Sequence, residues 1–267
     1  MQSLGGLQTA LDLWEMAIVP SLLNNAETWV DIPKEAFDML ENLQDMFLQL
    51  ILKVPQSTPK PALKWEMGLF SMKIRIMIMK LNFINSVKHQ REDGLAKQIL
   101  NEQVRLGLPG LARECEEMCE ELGIKNIIKQ QVPLGRWKTD VKNACKQLME
   151  NEFKKDTERL SKLEAMGGEF FGIKQYMKNK SIDDARYMFR IRTRMVDVKM
   201  NFRNDPRYKR ESWMCKCETN VESQTHVLLY CKNYAKLREG LDFDNDRDLV
   251  KYFREVLAIR EKGESEL

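Results

Sequence analysis

Histidine is almost absent from this chain, with two in 267 residues, His89 and His226. His89 lies in a polar stretch and His226 in a cysteine cluster, which leaves no histidine for acid–base chemistry. No Gly-x-Ser-x-Gly elbow, P-loop or dinucleotide fingerprint is present, so the common hydrolase and nucleotide-binding chemistries have no visible apparatus. No run of about 18 uncharged apolar residues occurs, and no membrane span is expected. The first basic residue is Lys34, so a positively charged leader ahead of an apolar stretch is missing; the expectation is a reducing, intracellular setting. Net charge is small as well, +3 from 43 basic and 40 acidic side chains, and by itself points to no partner.

What the chain has is concentrated near its end. Cys215, Cys217, His226 and Cys231 form a Cys-x-Cys-x8-His-x4-Cys cluster that holds half of the six cysteines within 17 residues. Thiolate and imidazole are the ligands of structural zinc, and four of them can fix a segment with little core of its own. One zinc ion is the expected cofactor. The single residue, Lys216, between the first two cysteines is shorter than the two to four usual in such sites. Two readings stay open: a closed metal site, or ordinary reduced thiols and a histidine on a short amphipathic helix. Cys115, Cys119 and Cys145 fall in helical-looking sequence and are expected to pack in a core.

Charge is unevenly spread. Arg186, Arg190, Arg192, Arg194, Lys199, Arg203, Arg207, Lys209 and Arg210 face only Asp197 and Asp205 in the same stretch, while acids gather at Glu114–Glu121 and Asp242–Asp248. A phosphate backbone would choose the basic segment. Arg186, Arg190 and Arg194 at four-residue spacing would line one helix face, and Trp213, Tyr208 or Phe202 would stack on exposed bases. The competing reading is a solvated basic face with aromatics in the core.

The dominant periodicity is helical, and the fold class expected is mainly α: a helical bundle followed by a small C-terminal Cys/His module. Leu7, Leu11, Trp14, Ile18 and Leu22 form a stripe that Pro20 is placed to kink. Phe37, Leu40, Phe47, Leu50, Ile51 and Val54 form another after Pro33, and three prolines at 55, 59 and 61 then mark a loop. Met72–Val87 carries both alternating and helical signals; its length favours helix and its methionines read as core. Further helices follow Asp93-Gly94: about 95–105, 109–122 capped by Gly123, and a long one over 134–163 that should be solvated after Met149. Gly167-Gly168 marks the last boundary, giving regions 1–93, 94–168 and 169–267. Ser181-Ile182-Asp183-Asp184 reads as a helix cap and not as the carboxylate pair of a two-metal site, since neither strand pattern nor hairpin flanks it.

These residues carry a family resemblance. Gly6-Leu7-Gln8-Thr9, Pro20 through Trp29, Glu41-Asn42-Leu43-Gln44, Leu52 through Pro59 and Trp65-Glu66-Met67-Gly68 resemble the segment that follows the polymerase palm in non-LTR retrotransposon reverse transcriptases. Asp184 through Met195, followed by the Cys/His cluster, is similar to the C-terminal zinc-knuckle region of those proteins. The resemblance implies a thumb-like bundle and binding of RNA or single-stranded DNA through Cys215, Cys217, His226, Cys231 and the arginines. It also implies no polymerase catalysis, because that family's aromatic-x-Asp-Asp motif lies upstream of the matched region. No membrane or small-molecule partner is expected; self-association is, if apolar surface stays uncovered. The alternative is a helical interaction or structural protein that binds neither metal nor nucleic acid.

Overall fold

The structure is a computed structural model that describes residues 7–160, 163, 171–179, 181–202 and 213–264, the side chains of 179, 202 and 261–264 excepted. It is mainly helical, with twelve α-helices and a single isolated β-bridge among the described residues. The chain divides into two compact units. The first comprises Met1–Ile51 and Lys60–Lys174, the second Leu52–Pro59 and Gln175–Leu267.

In the first unit, α1 (Leu7–Leu13) passes through a π-helical turn (Trp14–Ile18) into α2 (Val19–Leu22). Pro20 has no N–H to bond the carbonyl four residues back, and the wider turn just ahead of it absorbs the break. After α3 (Lys34–Leu52) and α4 (Lys60–Met67), α5 (Met72–Lys88) runs through the centre, packed by α6 (Leu95–Leu106), α7 (Leu111–Glu121) and α8 (Leu134–Arg159). Ile74, Ile76, Met77, Leu81 and Ile84 of α5 are all buried. A helix with apolar residues buried on several faces belongs in the middle of a bundle, which explains why its sequence shows both periods at once. Ser71 caps it, its hydroxyl accepting from the Ile74 N–H at 3.3 Å.

Two polar side chains inside this core are paired, while both side-chain amide atoms of buried Asn85 have no partner among the described residues. The Trp137 indole N–H donates to the Leu81 carbonyl at 3.0 Å, and buried Lys80 forms an ion pair with Glu114. Cys115, Cys119 and Cys145 sit in the same core; burial pushes all three thiols up, Cys145 to about 12. Gly123 takes the left-handed conformation after α7, with the Ile124 N–H reaching the Cys119 carbonyl at 3.0 Å, as a capping glycine does.

Three expectations change. α3 buries Gln44, Asp45, Leu48 and Leu52, while Leu50 is 74% exposed. The helix is rotated because Asp45 meets Lys60 at 3.2 Å and Lys64 at 3.3 Å, a charged contact that counting apolar residues cannot reveal. Helix α8 ends at Arg159, with Leu160 extended. Its second half is not simply solvated: Phe153 is buried and stacks on Trp65, centroids 4.0 Å apart. The expected boundary at Gly167-Gly168 lies outside the described residues.

The second unit holds α9 (Gln175–Asn179), α10 (Ile182–Arg192), a 3-10 turn (Lys199–Phe202), a π turn (His226–Tyr230), a 3-10 turn (Lys232–Tyr234), α11 (Ala235–Arg238) and α12 (Asp246–Glu264). The cap at Ser181 is present: its hydroxyl accepts from the Asp184 N–H at 3.2 Å. Met188, Phe189 and Ile191 of α10 are buried, as are Val250, Tyr252, Phe253 and Val256 of α12, and the two helices pack on each other.

Candidate metal centre

The cluster is assembled from two local devices. The first is a hairpin closed by the Met214–Val221 bridge, with the Cys215 N–H donating to the Asn220 carbonyl at 2.9 Å and the Glu222 N–H to the Trp213 carbonyl at 2.8 Å. Its turn is tight enough for the Cys-x-Cys spacing, because the Glu218 N–H closes on the Cys215 carbonyl at 2.8 Å and Glu218 adopts a left-handed φ of 61°. The second is the π turn. Residues five apart stand about 140° apart around an α-helix. Here the Cys231 N–H instead reaches the His226 carbonyl at 2.8 Å, closing the wider turn that stacks Cys231 over His226. The Ser223 hydroxyl accepts from the His226 N–H at 3.1 Å and fixes the entry.

The result is one compact ligand set. All four side chains are buried, and their ligand atoms lie within 4.8 Å of one another. Cys215 Sγ stands 3.6 Å from Cys231 Sγ, and Cys217 Sγ stands 3.2 Å from His226 Nε2. A tetrahedron with zinc–sulfur bonds of about 2.3 Å and zinc–nitrogen bonds of about 2.05 Å has S–S edges near ~3.8 Å and S–N edges near ~3.6 Å. These two edges lie within a few tenths of an ångström of the tetrahedral values, and the widest separation in the set, up to 4.8 Å, would close by about 1 Å around an ion. All six cysteines are free thiols.

The thiols differ in acidity. Burial pushes Cys215 up to about 12. Burial acts the same way on Cys217, but the Thr219 hydroxyl and amide, Cys215 and His226 all surround its sulfur, and together they bring it down to about 6. A metal entering this set finds one ready thiolate and must displace a proton from Cys215.

Residues outside the cluster hold its backbone. Arg238 donates to the Cys231 carbonyl at 2.7 Å and to the Val227 carbonyl at 3.3 Å, and the Tyr252 hydroxyl also donates to Val227. Glu222 on the hairpin pairs with Arg260 of α12 at 3.0 Å, both nearly buried, and also accepts from the Lys199 N–H at 3.2 Å. Arg260 donates in addition to the Asp197 carbonyl. The sequence reading missed these partners. Their one local signal is the apolar row Val250, Phe253 and Val256, which marks α12 as a packed helix.

The expected nucleic-acid residues are differently disposed. Arg186 pairs with Asp183 at 3.1 Å. Arg190 donates to the Lys53 carbonyl and lies over Tyr187, and burial lowers its pKa. Arg192 lies over the Tyr176 ring at 5.7 Å, and Lys199 reaches the Met214 carbonyl at 3.5 Å. Arg194 is exposed but stands past the end of α10 with a φ of 52°, so Arg186, Arg190 and Arg194 do not share one helical face. Trp213 is half-buried at the hairpin edge. Arg203, Arg207, Lys209, Arg210, Tyr208 and the Phe202 side chain lie outside the described residues. Asp183 and Asp184 are in ion pairs, Asp184 with Arg254 at 2.8 Å.

No family model, curated protein or solved structure matches the chain. No helix among the described residues is long and apolar enough to cross a membrane.

Proposed function

We propose that Cys215, Cys217, His226 and Cys231 hold one zinc ion, and that the unit it clasps is a non-catalytic module that binds RNA or single-stranded DNA. The observation that carries the metal reading is the convergence of three sulfurs and one imidazole nitrogen within 4.8 Å, all buried. Four protein ligands fill a tetrahedral zinc and leave no open position for substrate or water, so the ion is structural and not catalytic. Binding it would couple directly to folding of the hairpin and the π turn. Nucleic-acid binding is supported by the cationic character of the unit and by the resemblance of Asp184–Met195 and the cluster to the C-terminal region of non-LTR retrotransposon reverse transcriptases.

Zinc measured in the purified, reduced protein tests the first part. About one ion per chain is expected, lost in Cys217→Ser/His226→Ala; a metal-free wild-type chain contradicts the clasp. Anisotropy of a labelled single-stranded RNA at low salt tests the second, and no binding there removes it.

A second reading is favoured by one feature of the first unit. Met39, Leu43, Met46 and Leu50 of α3 are exposed at spacings of four, three and four. That is the seam of a helix awaiting another helix, and it fits a protein that works by association. Sedimentation separates the readings: association is expected to respond to Leu50→Lys, and RNA binding is not.

A further inference from the structure

Resting on the nucleic-acid reading of the second unit, we propose that its phosphate contacts are made in the groove between α10 and α12, by Arg247, Lys251 and Arg254, and not by the arginines of α10. The groove encloses about 650 Å³; Asp184 of α10 and its cap residue Ser181 line one side, and the three cations with Glu255 line it from α12. Spacings of four and three put the cations on one face of α12. At 1.5 Å of rise per residue they extend over about 10 Å. A stacked strand sets down one phosphate every ~3.4 Å, so this row matches about three phosphates.

Availability separates Arg247 and Lys251 of this row from the arginines of α10. Arg247 and Lys251 are exposed, and neither makes an ion pair among the described residues. Arg254 is held at 2.8 Å by Asp184 and lies over Tyr187 at 4.9 Å. The Asp184 carboxylate already marks where an anion sits against Arg254, and an incoming phosphate would take its place. On α10, by contrast, Arg186, Arg190 and Arg192 are committed to Asp183, the Lys53 carbonyl and Tyr176. Tyr187 is engaged as a stacking partner as well, since Arg190 and Arg254 both lie over its ring. The groove therefore reads backbone and is indifferent to base sequence.

The test uses the full zinc-loaded chain and a fluorescein-labelled 20-nucleotide single-stranded RNA, titrated by anisotropy across a salt series. Arg247→Glu/Lys251→Glu is compared with Lys232→Glu/Lys236→Glu, which changes net charge equally at exposed lysines of the same unit. All three proteins are first shown to unfold at the same temperature. The groove variant should lose at least about tenfold in affinity, and its log–log salt slope should fall by about 1.4, two contacts at ~0.7 each. The control should lose less than about threefold, and RNAs of different base sequence should bind the wild type alike. Equal losses in the two variants, or an unchanged groove variant, overturn the groove while leaving the nucleic-acid reading standing. A wild type that binds no RNA at low salt overturns both. A wild type that binds polyaspartate in place of RNA makes the groove a docking site for acidic protein and likewise overturns the proposal.

Discussion

The bundle around α5 and the module around the Cys/His cluster solve the same problem with different means. In the first, one helix is buried by its neighbours, and the interior is Ile74, Met77, Leu81, Trp137 and Val141. In the second, a one-bridge hairpin and a single π turn bring four ligand atoms together, held by Arg238, Tyr252 and the Glu222–Arg260 pair. Burial of apolar area is enough to define the one. The other has short elements whose ends must be tied; hydrogen bonds do part of this, and the proposed zinc would supply the rest.

The largest separation between the two should come from removing the metal. Chelation, or Cys217→Ser/His226→Ala, forfeits a binding energy on the order of 10 kcal/mol for a structural zinc. Amide hydrogen exchange should show protection lost over 213–234 and retained in α5 and α8; loss in both would mean that the regions are not independent in this respect. Next comes Trp137→Ala, which removes a fully buried ring and its bond to the Leu81 carbonyl and should cost about 3–5 kcal/mol by chemical denaturation. Zinc content should not change in that variant.

Smaller again is Arg238→Ala, which frees the Cys231 and Val227 carbonyls. A loss of about 10- to 100-fold in zinc affinity is expected, measured by competition with a chromogenic chelator. Acidity gives a related test. With Cys217 near 6 and Cys215 near 12, zinc binding at pH 7.5 should release at least one proton. Affinity should therefore rise with pH through this range and fall more steeply once Cys217 protonates below about 6; an affinity flat from pH 6 to 9 would contradict the assignment. The smallest effect on stability is Leu50→Lys, within about 0.5 kcal/mol at an exposed site, with any self-association reduced.

How far the sequence led differs between the regions too. The helical class, the Ser181 and Gly123 caps and the four clustered residues were legible, because each is a local pattern. The face of α3 was not: Asp45 turned it inward to meet Lys60 and Lys64, and charge pairing across 15 or more residues leaves no local trace. The Cys-x-Cys spacing is shorter than usual in the sequence, and the left-handed Glu218 that accommodates it shows only in the backbone. The arginines of α10 drew attention as a charge run, yet charge counts do not say which guanidinium is already taken. That is why Arg247, Lys251 and Arg254, a thinner signal in the sequence, emerge only once α10 and α12 are seen side by side.

The most direct test of the clasp is zinc K-edge absorption on the purified, reduced protein. Three sulfurs at about 2.3 Å and one nitrogen at about 2.0–2.1 Å are expected, with one sulfur fewer in Cys217→Ser. A shell of oxygen and nitrogen alone, or no bound zinc, would show that the four convergent side chains do not form a metal site.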